Sequence, residues 1–420
     1  MTPTTTGSAL EAASAAPASE LPRPTPVVVI GAGLAGWTTV RELRKLDPHT
    51  PITLITADRG DFYAKPTLSN ALAQGRTPPQ LVTTPAASMA ATLRVDLLPF
   101  TPVLSIDTAQ RSVVTDQGRL AYRQLVLATG AQPIRVPVAG NAADQVLSVN
   151  SLDDFSGFHQ RLTAQPGPRQ VVIMGAGLIG CEFANDLVAA GHHVTVADPA
   201  ASPIAALLPL QASQQLQAAL SNLGVVWHFG ATVQSVDHAA NPVPGSAAPA
   251  LVVELSNGQR LEADLVLSAI GLRADTRLAA AAGLQVDRGI VVNRALATSD
   301  PHIYALGDAA QYASAGGRTL PYVMPIMNAA RVLAKQLSQP PGAESSADHL
   351  VFPLMPVAIK TPALPITIAA PAPGTAGGWD GVEAGVWRFV DAQGQQRGFA
   401  LSGPQTAKRG EWAKTTLVTD

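Results

Sequence analysis

The sequence predicts an α/β fold in three parts, and three observations carry that prediction. A short β-branched run leads straight into a glycine-rich turn and a helix at Pro26–Gly36, and the same pattern returns at Gln170–Gly180. Forty-seven percent hydrophobic residues at a mean hydropathy of +0.18 supply several cores in a chain of 420 residues, whereas extended disorder needs low hydrophobicity and high net charge. After about residue 349 the chain changes to short β-like runs. Together these describe two Rossmann-like domains followed by a small C-terminal α+β domain.

Taken in order, residues 1–25 are mostly Thr, Ser, Ala and Pro, with no early Lys or Arg and no apolar h-region. They read as a disordered tail and not a secretory signal, so a cytoplasmic protein is expected. Val27–Ile30 is a strand buried on both faces, followed by Gly31-Ala32-Gly33-Leu34-Ala35-Gly36. A helix from about Leu34 to Leu46 closes at Asp47-Pro48, and Ile52–Thr56 completes a βαβ unit. Gln170–Met174, Gly175-Ala176-Gly177-Leu178-Ile179-Gly180, a helix to about Ala190 and His193–Ala197 repeat the unit, with first glycines 144 positions apart. Leu125–Gly130 and Leu265–Gly271 are sheet strands ending in glycine that return the chain between domains. The first domain is therefore expected to be discontinuous, 26–142 and 265–337, with the second at 143–264 and the C-terminal one at 349–420. Residues 239–250 read as a surface loop between hairpin strands, and 338–348 as a Pro/Gly/Ser-rich bridge. Pro365–Ala369 and Gly385–Val390 are the expected strands beyond it.

Composition narrows the function. Lys plus Arg is 28 against 30 for Asp plus Glu, a net charge of −2, which gives no basic field for nucleic acid. No run approaches the roughly 20 apolar residues that cross a bilayer, so no membrane partner is expected. The single cysteine, Cys181, excludes an intramolecular disulfide, a CxxC redox pair and any four-cysteine metal site. No metal site is expected.

A glycine-rich turn between strand and helix suits a pyrophosphate. Its first glycine permits the tight turn, its second lets backbone approach the phosphates, and its third lets helix pack on strand. The helix N-terminus then presents unpaired N–H groups and a positive dipole end to the anion. One such turn is weak evidence; two, each inside a βαβ unit, are strong. In the second unit Asp198 lies 18 residues past Gly180, where a carboxylate accepts from a ribose diol and repels a 2′-phosphate, favouring NADH over NADPH. In the first unit Asp58 lies 22 residues past Gly36, a slightly long offset, so Thr56 and Ala57 are expected to contact the adenosine while Asp58 meets only solvent.

A third element, Thr298 followed after six residues by Ala305-Leu306-Gly307-Asp308, resembles the second FAD motif of the two-dinucleotide flavoprotein reductases of glutathione-reductase type. That resemblance implies FAD, with Asp308 bonding its ribitol. Disulfide reductases and their peroxidase relatives carry cysteines shortly after the second strand; here that segment reads Asp61-Phe-Tyr-Ala-Lys65-Pro66-Thr-Leu68-Ser69-Asn70. Cys181, in a close-packed glycine turn, reads as a small structural residue.

More specifically the chain resembles the bacterial NADH:rubredoxin reductases. The matching stretches include Tyr63–Ser69, Pro133–Pro137, Leu178–Asp186, Gly271-Leu272-Arg273, Tyr304–Asp308, Tyr322–Pro325, Met355-Pro356-Val357 and Ile359-Lys360-Thr361-Pro362. Flavorubredoxin reductases look similar enough to stay in play, as do a ferredoxin reductase and a slow-turnover flavin sensor. The resemblance implies FAD contacts by Ala32–Ala35, Thr56, Ala57, Lys65, Val103, Glu182, Asp308, Val323 and Lys360. It implies that NADH docks around Gly175–Gly180, Asp198 and Gly271, and that electrons pass to rubredoxin, a separate protein. Lys65 near the flavin would stabilise negative charge on the reduced ring, and Glu182 is expected to hold Lys65 by ion pairing. Residues 351–420 carry six basic against five acidic residues, so only Lys408-Arg409 with Trp412 suggests a patch for an acidic partner. Monomer and homodimer both stay open.

Overall fold

The computed structural model describes residues 25–240, 250–339 and 349–417. The expected tail, most of the 239–250 loop and most of the 338–348 bridge lie outside these. Each glycine-rich turn sits where expected, at the C-terminal edge of a parallel sheet. In the first sheet β1 (Val27–Ile30) precedes α1 (Leu34–Leu46), then β2 (Ile52–Ile55), β3 (Asp96–Leu98) and β4 (Gln124–Leu127). The second comprises β5 (Val146–Leu147), β6 (Gln170–Met174), then α2 (Leu178–Ala189), β7 (His193–Asp198), β8 (Val226–Phe229) and β9 (Leu265–Ser268). The chain then returns to the first sheet with β10 (Ile303–Ala305) and α3 (Val323–Ser338).

Sheet one has the order β10-β4-β1-β2-β3 and sheet two β5-β9-β6-β7-β8, with all strands parallel. Covered on both faces, β1, β2 and β4 have no exposed residue, which is why they read as unbroken apolar runs. Trp37, Val40 and Leu43 of α1 and Ala329, Ala330 and Leu333 of α3 pack into the same core as Val27, Val29 and Leu54. Antiparallel three-stranded sheets flank each parallel one, at Val103–Ala121 and at Val233–Ala263.

The C-terminal part is an antiparallel sheet of order β11-β12-β15-β14-β13, from β11 (Val357–Ile359), β12 (Ile366–Ala369), β13 (Gly377–Glu383), β14 (Val386–Asp391) and β15 (Gln396–Ser402). Its Ile359, Ile366, Ile368 and Trp387 share a core with Phe183, Ala184 and Leu187 of α2. The second glycine-turn helix is thus also the floor on which the last sheet rests.

Candidate functional site

Both glycine turns have the same construction. A Cβ on Gly36 or Gly180 would fall far inside contact distance of the carbonyl oxygen of Gly31 or Gly175, so helix and turn approach as only glycine allows. A Cβ on Gly33 or Gly177 would meet nothing within 4 Å. These are the N-cap positions of α1 and α2, and neither helix receives a side-chain cap. First-turn N–H groups therefore face an open concavity, an arrangement that suits an anion. Ala32 and Ala35 are buried under the first turn while Leu34 is half-buried; in the second, Leu178 is half-buried and Ile179 exposed.

The acids at the strand ends brace their own turns. Asp198 accepts Ala176 N at 2.6 Å and Ala200 N at 2.7 Å. Asp58 does more than meet solvent: it accepts Thr56 Oγ1 at 2.6 Å and Gly60 N at 2.9 Å, closing the loop after β2. Ala57 is exposed beside it. Thr56 in turn accepts Thr101 N at 2.8 Å, which brings half-buried Val103 to the same edge. Gly271, at φ +116°, follows β9, and its carbonyl accepts Ile134 N at 3.0 Å.

The expected Lys65–Glu182 pair does not form. Glu182, buried on α2, instead ion-pairs through Oε2 with Lys360 Nζ. The same oxygen accepts Ser69 Oγ at 2.6 Å, and Oε1 accepts Lys360 N at 2.9 Å. The reason lies in the 3-10 helix Lys65–Asn70: Ser69, a turn beyond Lys65, is the residue that reaches α2, while Lys65 at its start points to another partner. Lys65 Nζ donates to Asn150 Oδ1 at 2.8 Å. Burial pulls the Lys65 ammonium below its usual range, and the nearby charge of Asp308 opposes that shift. Asp308 is pushed up, first by burial, against the effect of Lys65. Among the described residues its carboxylate receives no hydrogen bond, which leaves it able to accept from hydroxyl groups.

Three further residues of α2 carry contacts that motif reading missed or read as bland. Asn185 accepts Ala363 N at 3.0 Å, and Asp186 accepts Leu72 N at 2.9 Å and Ala73 N at 3.0 Å. Burial raises Asp186 despite those donors. The signal was a Glu, Asn and Asp at i, i+3 and i+4 on one face of an otherwise apolar helix. Cys181 is fully buried, its Sγ 3.4 Å from Ala176 O, and burial drives the thiol well above its ordinary range. It is a packing residue, as expected.

Residues 25–332 match the family described as pyridine nucleotide-disulphide oxidoreductase. The chain belongs to this family. Residues 349–416 match the rubredoxin binding C-terminal domain. The rubredoxin-NAD(+) reductase of Alcanivorax borkumensis is 42% identical over 384 residues, 90% of this chain and 95% of that protein. The nitric oxide reductase FlRd-NAD(+) reductase of Aeromonas salmonicida is 42% identical over 84% of this chain and 86% of its own. Among solved structures, the ferredoxin reductase for the CYP199A2 system from Rhodopseudomonas palustris has a TM-score of 0.80 at 27% identity, covering 94% and 96% of the two chains. Putidaredoxin reductase in its covalent complex with putidaredoxin gives 0.79 at 26%, covering 93% of each.

As a member of this family the chain is an oxidoreductase that uses flavin and NAD(H). Unlike the disulphide enzymes of the family name, it has only one cysteine and so no internal disulfide. The two open glycine turns and the donor-free Asp308 fit two dinucleotides. Val323 begins α3 and is 40% exposed. The suggested Lys408, Arg409 and Trp412 patch is partly spent, since Lys408 Nζ bonds Glu383 at 2.9 Å and Trp412 leans on Phe399. No described helix is long and apolar enough to cross a membrane.

Proposed function

We propose that the protein passes electrons from NADH through FAD to rubredoxin. In this reading 26–142 with 265–337 binds FAD, 143–264 binds NADH, and 349–420 meets the iron protein. Gly31–Gly36, Thr56, Ala57 and Val103 would hold the FAD phosphates and adenosine, with Asp308 accepting from the ribitol. Gly175, Gly177, Leu178, Ile179, Gly180, Asp198 and Gly271 would seat NADH. A bound flavin supplies the conversion from a two-electron donor to a one-electron acceptor. The residues contribute placement and charge: Glu182, Ser69 and Lys360 lock three segments together, Lys65 would supply a half-buried cation, and Val323 would contact the flavin.

The observation that carries this proposal is the sealed Cys181 thiol, because without a sulfur relay electrons must leave the flavin directly for an external carrier. The match of residues 349–416 to a rubredoxin binding domain supports rubredoxin as that carrier. The FlRd-NAD(+) reductase relative favours flavorubredoxin as a second acceptor. An NADH-linked enzyme with an unpaired cysteine suits the cytoplasm. Anaerobic reduction of purified rubredoxin, flavorubredoxin and a ferredoxin, followed by their visible bands, tests the proposal. Rubredoxin should be reduced fastest; faster turnover with the ferredoxin, or a colourless purified protein, would overturn it.

A further inference from the structure

Two lysines converge on this site, and the structure treats them differently. Lys360 meets the carboxylate of Glu182 and is neutralised there. Lys65, also half-buried, makes no ion pair within 4.0 Å among the described residues, and has a neutral amide as its hydrogen-bond partner. That amide is itself fixed. Asn150 Nδ2 donates to Ala131 O at 2.8 Å, which determines that Oδ1 is the atom turned to Lys65. Its backbone N donates to Asp154 Oδ2 at 3.0 Å, part of the cap of helix Leu152–Leu162. Asn150 thus stands between β5 and the helix Leu152–Leu162 of the second unit, and its side-chain amide binds Ala131 and Lys65, both of the first.

We propose that Asn150 is a positioning residue for Lys65, and that its neutrality leaves the Lys65 ammonium without a carboxylate in direct contact, Asp308 and Asp154 acting on it only from beyond ion-pair distance, so that a bound flavin is easier to reduce. This rests on the flavin reading above. An ion-paired Lys65, as first expected, would offer the ring a dipole; an amide-held Lys65 offers it a larger share of its charge, and in a low-dielectric site that difference is large. Diverting Glu182 to Lys360 is the other half of the same arrangement.

The test uses the flavin-loaded full-length protein and the flavin reduction potential, measured against reference dyes, for the wild type and for Asn150→Asp, Asn150→Ser and Lys65→Met. In N150D an anion replaces the amide, and the balance should move toward oxidised flavin by at least tenfold, about 30 mV for a two-electron couple. N150S keeps a neutral acceptor and should stay within a few-fold of wild type. K65M should shift in the same direction as N150D, and N150D added to K65M should shift much less than in the wild type. Equal potentials for N150D and wild type, or equal shifts for N150D and N150S, would overturn the proposal. Should N150D lose its flavin, an unshifted K65M would overturn it alone. A wild-type protein without flavin bands would instead sink the functional reading.

Discussion

Replacing Gly33 by alanine should leave the fold intact and strip the first dinucleotide. The backbone there is φ −72° and ψ −170°, a conformation alanine adopts freely, and its Cβ would meet nothing within 4 Å. Alanine is a poorer N-cap than glycine by a few tenths to about 1 kcal/mol, while the stiffer unfolded chain returns about 0.4–1 kcal/mol. Apoprotein stability should therefore change by less than about 0.5 kcal/mol. The methyl group nevertheless occupies the space through which backbone N–H groups of α1 reach a phosphate. Losing two charge-assisted hydrogen bonds at about 1.5–3 kcal/mol each means at least a hundredfold weaker binding, since about 1.4 kcal/mol is tenfold. Gly36→Ala is the contrasting variant: its Cβ would collide with the Gly31 carbonyl, and the apoprotein itself should lose about 3 kcal/mol or more. The assay is the flavin-to-protein absorbance ratio of the purified proteins together with urea unfolding of the stripped ones. A G33A protein that keeps its flavin at the wild-type ratio, or one that unfolds like G36A, refutes this account of the turn.

Other variants probe the remaining contacts. Glu182→Ala removes three accepted hydrogen bonds and strands the Lys360 ammonium, which costs about 3–5 kcal/mol for a buried pair; with Lys360 still 29% exposed, a thermal-shift loss toward the low end is expected, and E182Q should lose less. Cys181→Ala should keep electron transfer within about twofold of wild type at a stability cost near 1 kcal/mol, and native protein should resist thiol alkylation; inhibition by iodoacetamide would contradict the absence of a sulfur relay. Asp186→Leu leaves the Leu72 and Ala73 N–H groups without acceptors and should cost about 2–5 kcal/mol in urea titrations, whereas Asp186→Asn should cost far less. Asp47 is held down to about 2, chiefly by the Thr50 hydroxyl. A depressed acid stabilises the fold above its unfolded value of about 4 and loses that effect as pH falls through the folded value. The stability gap between wild type and Asp47→Asn, read from urea unfolding, should close from pH 4 toward pH 2.

The parallel sheets were legible because their strands are covered on both sides, so Val27–Ile30 and Val171–Met174 could be nothing but apolar runs ahead of glycine. The first and third glycines of each turn were legible for a steric reason, a backbone carbonyl standing where a side chain would go, while the second faces open space. Partner choice among charges was not legible. Lys65, Lys360 and Glu182 are 117 and 178 residues apart along the chain from the glutamate's two sides, and nothing in their local spacing says which lysine it meets. Asn150 gave no local signal either, since its importance comes from where Ala131 and Lys65 happen to converge. Asp186 did leave a trace, a third polar residue on a helix that otherwise needed none, although only the structure says what it grips.

That helix carries a further consequence. Glu182, Asn185 and Asp186 reach the Ser69–Ala73 segment and the Lys360–Ala363 segment from a single rigid rod. Each residue of an α-helix advances the next side chain by about 100°. Inserting or deleting one residue ahead of Glu182 would swing all three handles away together, detaching two neighbouring segments in one stroke. A surface loop tolerates a change of length far better, but the count between Gly180 and Asp186 works as a gauge block that sets where these two segments sit.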